Sequence, residues 1–161
     1  MIASATEIPA RPGVVMSATP DDATEIVRLV RACGPETIPV SESHVRRNAS
    51  RFWTLRLPGA GIVATGALIP AGPGRAELRS VAVSPDWRGL GLGRRIVGAV
   101  LEIARREGRR VLCITLEPRF FSRLGFRRVP LATLPAKPER PAVVDGRPRV
   151  ALAWVPAAVT A

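Results

Sequence analysis

The sequence predicts an α/β (α+β) fold in which a mixed, largely antiparallel sheet is flanked by helices. Three observations support this prediction: a capped amphipathic helix near the start, three strand-like segments joined by glycine-containing turns, and a second amphipathic helix that leads into a short apolar run. The length of 161 residues is that of one domain. We therefore assign residues 1–161 to a single domain and expect residues 1–12 to be flexible.

The first predicted elements are a short strand at residues 13–17 and a helix that begins after Thr19. Thr19 is a favourable N-cap and Pro20 suits the first helical position. Apolar residues then recur every three or four positions, which gives this helix one buried face. Residues 41–50 follow and form either a short polar helix capped by Ser41 or a mobile loop, in both cases at a candidate substrate entrance.

Three strands are predicted next, over residues 51–57, 61–70 and 76–83. Turns that contain glycine separate them, so we expect an antiparallel meander. Side chains alternate along a strand. The third strand is therefore expected to divide its residues between two faces, with Leu78, Ser80 and Ala82 on one and Glu77, Arg79, Val81 and Val83 on the other.

The second half of the chain alternates between helix and strand signals. Residues 92–107 carry an apolar stripe typical of a helix, and residues 111–116 form an apolar run typical of a buried strand. Because a helix joins this run to the strand at 76–83, the two strands are predicted to be parallel neighbours. A helical turn at 119–124 and two closing strands around a proline-rich loop at 130–148 complete the prediction.

Composition argues against several classes of protein. The apolar and charged fractions, 47% and 23%, are those of a globular chain rather than a disordered or fibrous one. No apolar stretch is long enough to span a membrane, and the N-terminus lacks the features of a signal peptide, so we expect an unanchored, cytoplasmic protein. Cys33 and Cys113 lie far apart with only His44 to assist, so we expect two buried thiols and no metal site.

The formal net charge of +11 comes almost entirely from arginines. Two explanations stay open: an anionic partner such as a polyphosphate cofactor or an acidic small molecule, or a compositional bias toward Arg, Ala, Pro and Gly. Aromatic residues make up only 4% of the chain and none is tyrosine, so surfaces on which bases could stack are scarce. We do not expect nucleic-acid binding.

A glycine-rich loop, RGLGLG at residues 88–93, stands directly before the second amphipathic helix. Glycines at the start of a helix let backbone N–H groups approach an anion, and the helix dipole favours negative charge there. A phosphate group is the expected guest, with a plain structural turn as the alternative. The loop lacks the Gly-Lys-Ser/Thr of a P-loop and, with Arg94 and Ile96 at the required places, the third glycine of a dinucleotide fingerprint.

Two stretches at a suitable separation carry a family resemblance. VAVSPDWRGLGLGR at residues 81–94 fits the pattern R/Q-x-x-G-x-G/A through Arg88, Gly91 and Gly93. RFFSRLGF at residues 119–126 looks like a short helix that ends in LGF. Together they resemble the GNAT superfamily of N-acetyltransferases, and the resemblance covers nearly the whole chain in the family order.

The resemblance implies a sheet whose central strands splay apart, with acetyl-CoA in the gap as co-substrate and no metal. It also implies that backbone groups near Val81 and Val83 hold the pantetheine arm. Phe121, expected against the cofactor, replaces a tyrosine that protonates the CoA thiolate in many members, so water or Ser122 is left as the candidate acid. The pyrophosphate is expected on the amides of one loop: Arg88, Gly89, Leu90, Gly91, Leu92, Gly93 and Arg94.

The candidate catalytic residue is Glu77. An attacking amine must be neutral, so a base or a water chain has to remove its proton. The spacing ELRSVAV is similar to that of histone acetyltransferases in this superfamily, whose catalytic glutamate occupies this place. The alternative is a structural glutamate paired with Arg79, and His44 is a weaker candidate base.

The acceptor is indicated by a finer resemblance. The run LEPRFFSRLGFRRV followed by LPAK looks like the single-domain, N-acetylglutamate-synthase-like branch, whose members acetylate glutamate or related compounds, although the match lapses beyond Lys137. The expected function is N-acetylation of a small amino-acid-like amine, glutamate among the candidates, with Arg79 binding its carboxylate. A protein or peptide N-acetyltransferase and a non-catalytic CoA-binding module stay as alternatives, and a homodimer stays open.

Overall fold

One mixed sheet organises the part of the chain that the computed structural model describes, residues 13–134 and 141–157. The segment 1–12 that we expect to be flexible lies outside the described residues, and so does Lys137. The elements are β1 (Val15–Ser17), α1 (Ala23–Ala32), α2 (Glu42–Arg47), β2 (Phe52–Leu57), β3 (Gly61–Pro70), β4 (Arg75–Val83), α3 (Leu92–Arg106), β5 (Arg110–Thr115), α4 (Pro118–Ser122), β6 (Arg127–Val129), β7 (Val143–Val144), β8 (Arg147–Pro148) and β9 (Val150–Trp154).

Seven of the described strands form this sheet, in the order β1-β2-β3-β4-β5-β9-β6. Neighbouring strands are antiparallel except β4 and β5, which are parallel. The long crossover through α3 returns the chain to the same end of the sheet at which β4 began, so β5 can run parallel to β4. The predicted α/β (α+β) fold with its mixed, largely antiparallel sheet is confirmed.

The segment predicted as a proline-rich loop contains a small hairpin instead of continuous loop. β7 and β8 pair antiparallel, with Val143 opposite Pro148 and Val144 opposite Arg147. Asp145 and its following glycine both have positive φ, 49° and 73°. A two-residue hairpin turn of this kind requires positive φ at both positions, and Asp-Gly is one of the dipeptides that supply it.

Helices cover both faces of the sheet. Helix α1 buries Ile26 and Val30 against one face, in a cluster that also includes Phe52, Ile62 and Ala82. Helix α3 buries a longer apolar stripe against the other face, in a cluster that includes Leu55, Val63, Leu78, Ile96, Val97 and Val100. Each fully buried aliphatic side chain contributes about 1.5–3 kcal/mol. Within the described ranges, none of the helices combines the length and apolar composition needed to cross a membrane.

Strand β4 does not keep one alternation along its length. Ala67 is opposite Arg79, but Thr65 is opposite Ala82, so two residues of β4 face a single residue of β3 at this point. This is a β-bulge, and Ser80 lies in it with a positive φ of 52°. The extra residue reverses the alternation, so the prediction that Glu77, Arg79, Val81 and Val83 share one face is wrong.

The bulge places the two halves of β4 against different helices. Val81 packs with α3: its Cγ2 lies 3.8 Å from the point that a Cβ at Gly66 would occupy, beside Ile96. Glu77 points to the opposite face, because the residue directly across from it, Ile69, packs in the α1 cluster. The catalytic candidate and the predicted pantetheine-binding residues therefore lie on opposite sides of the sheet.

The parallel pairing of β4 and β5 is short. It joins Arg75–Glu77 to Arg110–Leu112, and the two strands diverge beyond these residues. Strand β4 nevertheless continues to Val83, and β5 continues to Thr115. This divergence confirms the splayed central strands, and it leaves backbone groups on both sides of the gap that need other partners.

Glu25 connects α1 to the turn between β2 and β3. Its Oε2 accepts a hydrogen bond from the Ile62 amide at 3.0 Å, and its Oε1 accepts one from Arg56 Nη1 at 3.1 Å. Arg56 also contacts Asp22 at 3.0 Å. The hydrogen bond from the Ile62 amide is the main cause that lowers the pKa of the Glu25 carboxyl below its ordinary value of 4.5, and the Arg56 guanidinium lowers it further. Burial of the carboxyl opposes both effects. A Cβ at Gly61 would approach Glu25 Oε2 to 2.7 Å, so this contact requires glycine there.

We predict that Glu25→Gln lowers the free energy of unfolding at neutral pH by about 0.5–1 kcal/mol, a modest loss because the Glu25 side chain is 40% exposed. A depressed folded-state pKa stabilises the fold above the unfolded pKa, and this contribution disappears as the pH falls through the folded value. Chemical denaturation should therefore show the wild-type advantage shrinking on acidification below about pH 4.5.

The control for this prediction is Glu42→Gln, which removes an exposed carboxylate that contacts Arg46 at 3.5 Å within one helix. It should cost less than Glu25→Gln, since it lacks the bond to a strand amide. A wild-type advantage over Glu25→Gln that stays constant into the acid range would contradict the assigned role of the carboxylate.

Candidate active site

A cavity of about 1010 Å³ opens at the gap between β4 and β5. Its wall includes Val81 and Gly93 on the α3 side, and Glu77 and His44 on the side of α1 and α2. Both faces of the sheet therefore contribute to one continuous space. A ligand that enters beside α3 can reach through the gap to a second ligand beside α2.

Nearly all of the predicted site residues reach this cavity. Leu90 is the exception among the loop residues: it is 45% exposed and does not belong to the wall. Ser122, the alternative acid, is exposed and also outside the wall. The roles in binding and catalysis stay predictions for the residues that do line it: Glu77, Arg79, Val81, Val83, Arg88, Gly89, Gly91, Leu92, Gly93, Arg94 and Phe121.

The start of α3 forms an open backbone cradle. Gly89 and Gly91 have φ values of +79° and +77°, and nothing lies within 4 Å of the point where a Cβ would stand at either residue. Gly91 is the N-cap of α3, so the amides of Leu92, Gly93 and Arg94 have no acceptor within the helix. Such amides and the dipole of a fifteen-residue helix suit a phosphate group, and the cradle fits the diphosphate of CoA.

Gly93 has a different requirement from the two glycines before it. A Cβ there would lie 3.2 Å from Cζ of Phe120 and 3.5 Å from Val83 Cγ2, so the lack of a side chain lets α4 pack against α3. Phe120 and Phe121 contact each other edge to face at 4.9 Å between ring centroids, and Phe121 contacts Phe126 at 5.6 Å. We call these three phenylalanines the aromatic group. Two of them, Phe120 and Phe121, line the cavity beside the loop, and none of the three has a hydroxyl.

The carbonyl of Val83 is a point where three elements meet. It accepts a hydrogen bond from the Cys33 thiol at 3.2 Å and another from Arg88 Nε at 3.3 Å. Arg88 therefore holds the loop against the end of β4 through its Nε. Cys33 and Cys113 are 2% and 3% exposed, which confirms the prediction of buried thiols, and both line the cavity.

Glu77 and Arg79 form a pair on the α1 side of the gap. Arg79 Nε lies 3.8 Å from Glu77 Oε1, and the two side chains are 21% and 8% exposed. This contact is the one expected if Glu77 has a structural role as the partner of Arg79. It is also compatible with a role as base, because the carboxylate lines the cavity and lies where β4 begins to diverge from β5.

Sequence reasoning missed Arg149, which is 7% exposed and lines the cavity. Its Nε donates to the carbonyl of Pro141 at 2.9 Å, and its backbone amide donates to Ala142 at 2.7 Å. These bonds fix the residue just before β9. The sequence contained one signal, an arginine next to an apolar strand. The burial of Arg149 could not be predicted from it, because that burial depends on contacts with the segment around Pro141 and Ala142.

Two carboxylates at the cavity wall, Glu36 and Glu117, were also missed. Arg147 contacts both, at 3.3 Å and 3.4 Å, although it does not line the cavity itself. The bridge joins segments more than a hundred residues apart in sequence. It ties the segment after α1 to the segment after β5 at one rim of the cavity. Within the described residues, no group of three or more His, Cys, Asp or Glu side chains is placed to hold a metal ion.

The family assignment rests on most of the elements described above. The model of the Acetyltransferase (GNAT) family matches residues 23–126, from the start of α1 to the end of the aromatic group after α4. The chain belongs to the GNAT acetyltransferase family. This finding confirms the resemblance drawn from the loop at residues 88–93 and from RFFSRLGF.

Two relatives share part of this GNAT chain. The amino-acid acetyltransferase of Mycobacterium tuberculosis is 37% identical over 81 residues, which cover 48% of this chain and 47% of that protein. Uncharacterized N-acetyltransferase MJ1207 of Methanocaldococcus jannaschii is 37% identical over 57 residues, or 32% of this chain and 25% of that protein. The matched segments thus span half or less of these relatives.

Solved structures match the GNAT chain over more of its length. The structure of Rv2747 from Mycobacterium tuberculosis in complex with CoA and NLQ has a TM-score of 0.74 at 26% identity and covers 88% of this chain and 98% of its own. N-acetylglutamate synthase from Neisseria gonorrhoeae, complexed with coenzyme A and N-acetyl-glutamate, has a TM-score of 0.74 at 22% identity, covering 87% of this chain and 34% of its own. The second likeness shows the fold alone.

We predict that Gly91→Val weakens CoA binding roughly tenfold or more, because the branched side chain fills the cradle and blocks charge-assisted bonds from the amides of α3. Isothermal titration of the variant with CoA gives the dissociation constant, and thermal unfolding checks that the variant folds. Gly98→Ala, a change on α3 where nothing lies within 4 Å of the new Cβ, is the control and should bind CoA as wild type does. Normal CoA affinity in folded Gly91→Val would contradict the cradle.

Proposed function

We propose that the chain is an N-acetyltransferase that transfers the acetyl group of acetyl-CoA to the amine of a small amino-acid-like acceptor. One observation carries this proposal: a cavity joins the N-terminus of α3 on one face of the sheet to the buried Glu77 and the partly buried Arg79 on the other. Membership of the GNAT family and the likeness to Rv2747 with bound CoA support acetyl-CoA as the co-substrate.

In this proposal the α3 side of the cavity holds the cofactor. The first amides of α3 bind its diphosphate, and the backbone near Val81 and Val83 orients the pantetheine arm through the gap between β4 and β5. The bonds from Cys33 and Arg88 to the Val83 carbonyl keep this end of β4 in place. When bound, acetyl-CoA supplies the activated acetyl group.

Glu77 acts as the base on the other side of the gap. An amine is largely protonated at neutral pH, so its nitrogen gains a lone pair for attack only after a proton has left. Glu77 is buried on the acceptor side and takes this proton directly or through a water molecule. Phe121 has no proton to give and Ser122 is outside the cavity wall, so neither side chain would protonate the CoA thiolate, and water would supply that proton.

The acceptor side suits a molecule that has a carboxylate as well as an amine. Arg79 lines the cavity, and a guanidinium group binds a carboxylate through two parallel hydrogen bonds. The net charge of +11 favours the approach of an acidic molecule to the protein as a whole. The bridge from Arg147 to Glu36 and Glu117 holds these two carboxylates at one rim of the cavity.

The experiment that tests the proposal is release of the CoA thiol from acetyl-CoA over a panel of amino acids, polyamines, aminoglycosides and peptides. We expect the highest kcat/KM with a free amino acid, and an acidic one above the others. A peptide or polyamine ranking above every amino acid would leave the acetyltransferase intact and overturn the acceptor. Binding of CoA without turnover of any acceptor would favour the non-catalytic module.

We predict that Glu77→Gln lowers kcat about 100-fold at neutral pH while leaving the affinity for acetyl-CoA nearly unchanged, because the amide cannot accept the proton. The loss should become smaller as the pH rises, since more of the amine is then neutral. Steady-state kinetics over a pH series measures both effects. Glu102→Gln, on the outer surface of α3, is the control and should keep wild-type kcat; an unchanged kcat in Glu77→Gln would return Glu77 to a structural role.

We predict that Arg79→Gln raises the KM for the amino acid about tenfold or more and leaves the KM for acetyl-CoA nearly unchanged, since a charged hydrogen bond to the carboxylate is lost. Arg75→Gln is the matched control on the same strand, because Arg75 is exposed and outside the cavity wall. Replacing the acceptor carboxylate by an amide should reproduce the effect in the wild type. Equal rises in both KM values would argue against this role.

A further inference from the structure

Basic residues are concentrated in the segment from α4 to residue 134, where the first described range of the chain ends. Residues 118–134 contain arginines and no acidic side chain. All of these arginines are exposed, and we call them the α4 strip: Arg119, Arg123, Arg127 and Arg128.

The α4 strip lacks the neutralising partners that arginines elsewhere in the molecule have. Arg56, Arg105 and Arg147, for example, each contact one or two carboxylates at 3.4 Å or less. In the part of the chain that the structure describes, no carboxylate lies within ion-pair distance of the strip. Each of its guanidinium groups therefore keeps donors for an anion from outside.

One member of the strip stands at the cavity. Arg123 lines it, whereas Arg119, Arg127 and Arg128 do not. Arg123 is the C-cap of α4, and α4 packs on the start of α3 through Phe120, whose ring lies 3.2 Å from the point a Cβ at Gly93 would occupy. Arg123 and the glycine cradle thus line the same cavity, and Phe120, three residues before Arg123, joins α4 to the cradle.

The chemistry of CoA makes this position informative, and the argument here rests on the proposed function. CoA has a thiol arm at one end of its diphosphate and an adenosine with a separate ribose 3′-phosphate at the other. If the diphosphate lies on the first amides of α3 and the arm runs into the gap between β4 and β5, the adenosine has to extend away from the gap. Residues of the loop at 88–94 and of α4 line the cavity on the α3 side, so we expect the adenosine to extend along them.

We propose that Arg123 binds the ribose 3′-phosphate of CoA and so makes the protein selective for CoA over 3′-dephospho-CoA. A phosphate monoester offers three oxygens to a guanidinium, which can bind two of them at once. An exposed arginine with no carboxylate beside it is suited to this role, because no internal ion pair has to break when the ligand arrives.

The experiment is isothermal titration of the full chain with CoA and with 3′-dephospho-CoA, for wild type, Arg123→Gln and Arg127→Gln. Wild type should bind CoA about tenfold more tightly than dephospho-CoA, as expected for the loss of a charged hydrogen bond. Arg123→Gln should bring this ratio close to one and leave the affinity for dephospho-CoA unchanged. Arg127→Gln removes the same charge from the same strip, outside the cavity wall, and should keep the wild-type ratio.

The remaining outcomes separate the inference from the function on which it rests. Equal affinity of wild type for the two ligands overturns the role of Arg123 and leaves the CoA site standing. Equal losses in Arg123→Gln and Arg127→Gln show general attraction to a basic strip, which also overturns it. A folded wild type that binds neither ligand overturns the proposed function itself.

Discussion

The short parallel pairing of β4 and β5 is the constraint on which the rest of the site depends. The two strands share a ladder over three residues each, Arg75–Glu77 with Arg110–Leu112, and then separate. A continuous ladder would fill the centre of the sheet with hydrogen bonds and leave no passage between its faces. Because the ladder stops, the cavity of about 1010 Å³ can have walls from both sides.

The bulge at Ser80 gives the two sides of this passage different chemistry. Before it, Glu77 and Arg79 face the side of α1, where they place a buried carboxylate and a partly buried guanidinium at the cavity. After it, Val81 packs toward α3, where the glycine cradle is suited to phosphate. Through a single extra residue, one strand thereby presents its side chains to the cavity from opposite faces of the sheet, which the proposed function assigns to the acceptor and to the cofactor.

The sequence could predict what depends on local patterns. The apolar stripes of α1 and α3, the glycines before α3 and the succession of strands along the chain all follow from spacing within a few residues. The reversal at Ser80 could not be read in this way, because serine rarely takes a positive φ and nothing in ELRSVAV marks the residue that does. Arg149 and the bridge from Glu36 to Arg147 depend on segments far apart in sequence, so only the fold brings them to the cavity. The hairpin at Asp145 had a local signal, which the abundance of prolines around it concealed.

The most direct test of the CoA site is a titration of isotope-labelled protein with CoA, in which NMR follows the chemical shifts of the backbone amides. We expect the largest shifts at Leu92, Gly93 and Arg94, where the amides have no acceptor within the helix, and at Val81 and Val83 beside the gap. Amides of β1, at the far edge of the sheet, should hardly move. Shifts concentrated away from the loop and β4, or none at saturating CoA, would contradict the CoA site.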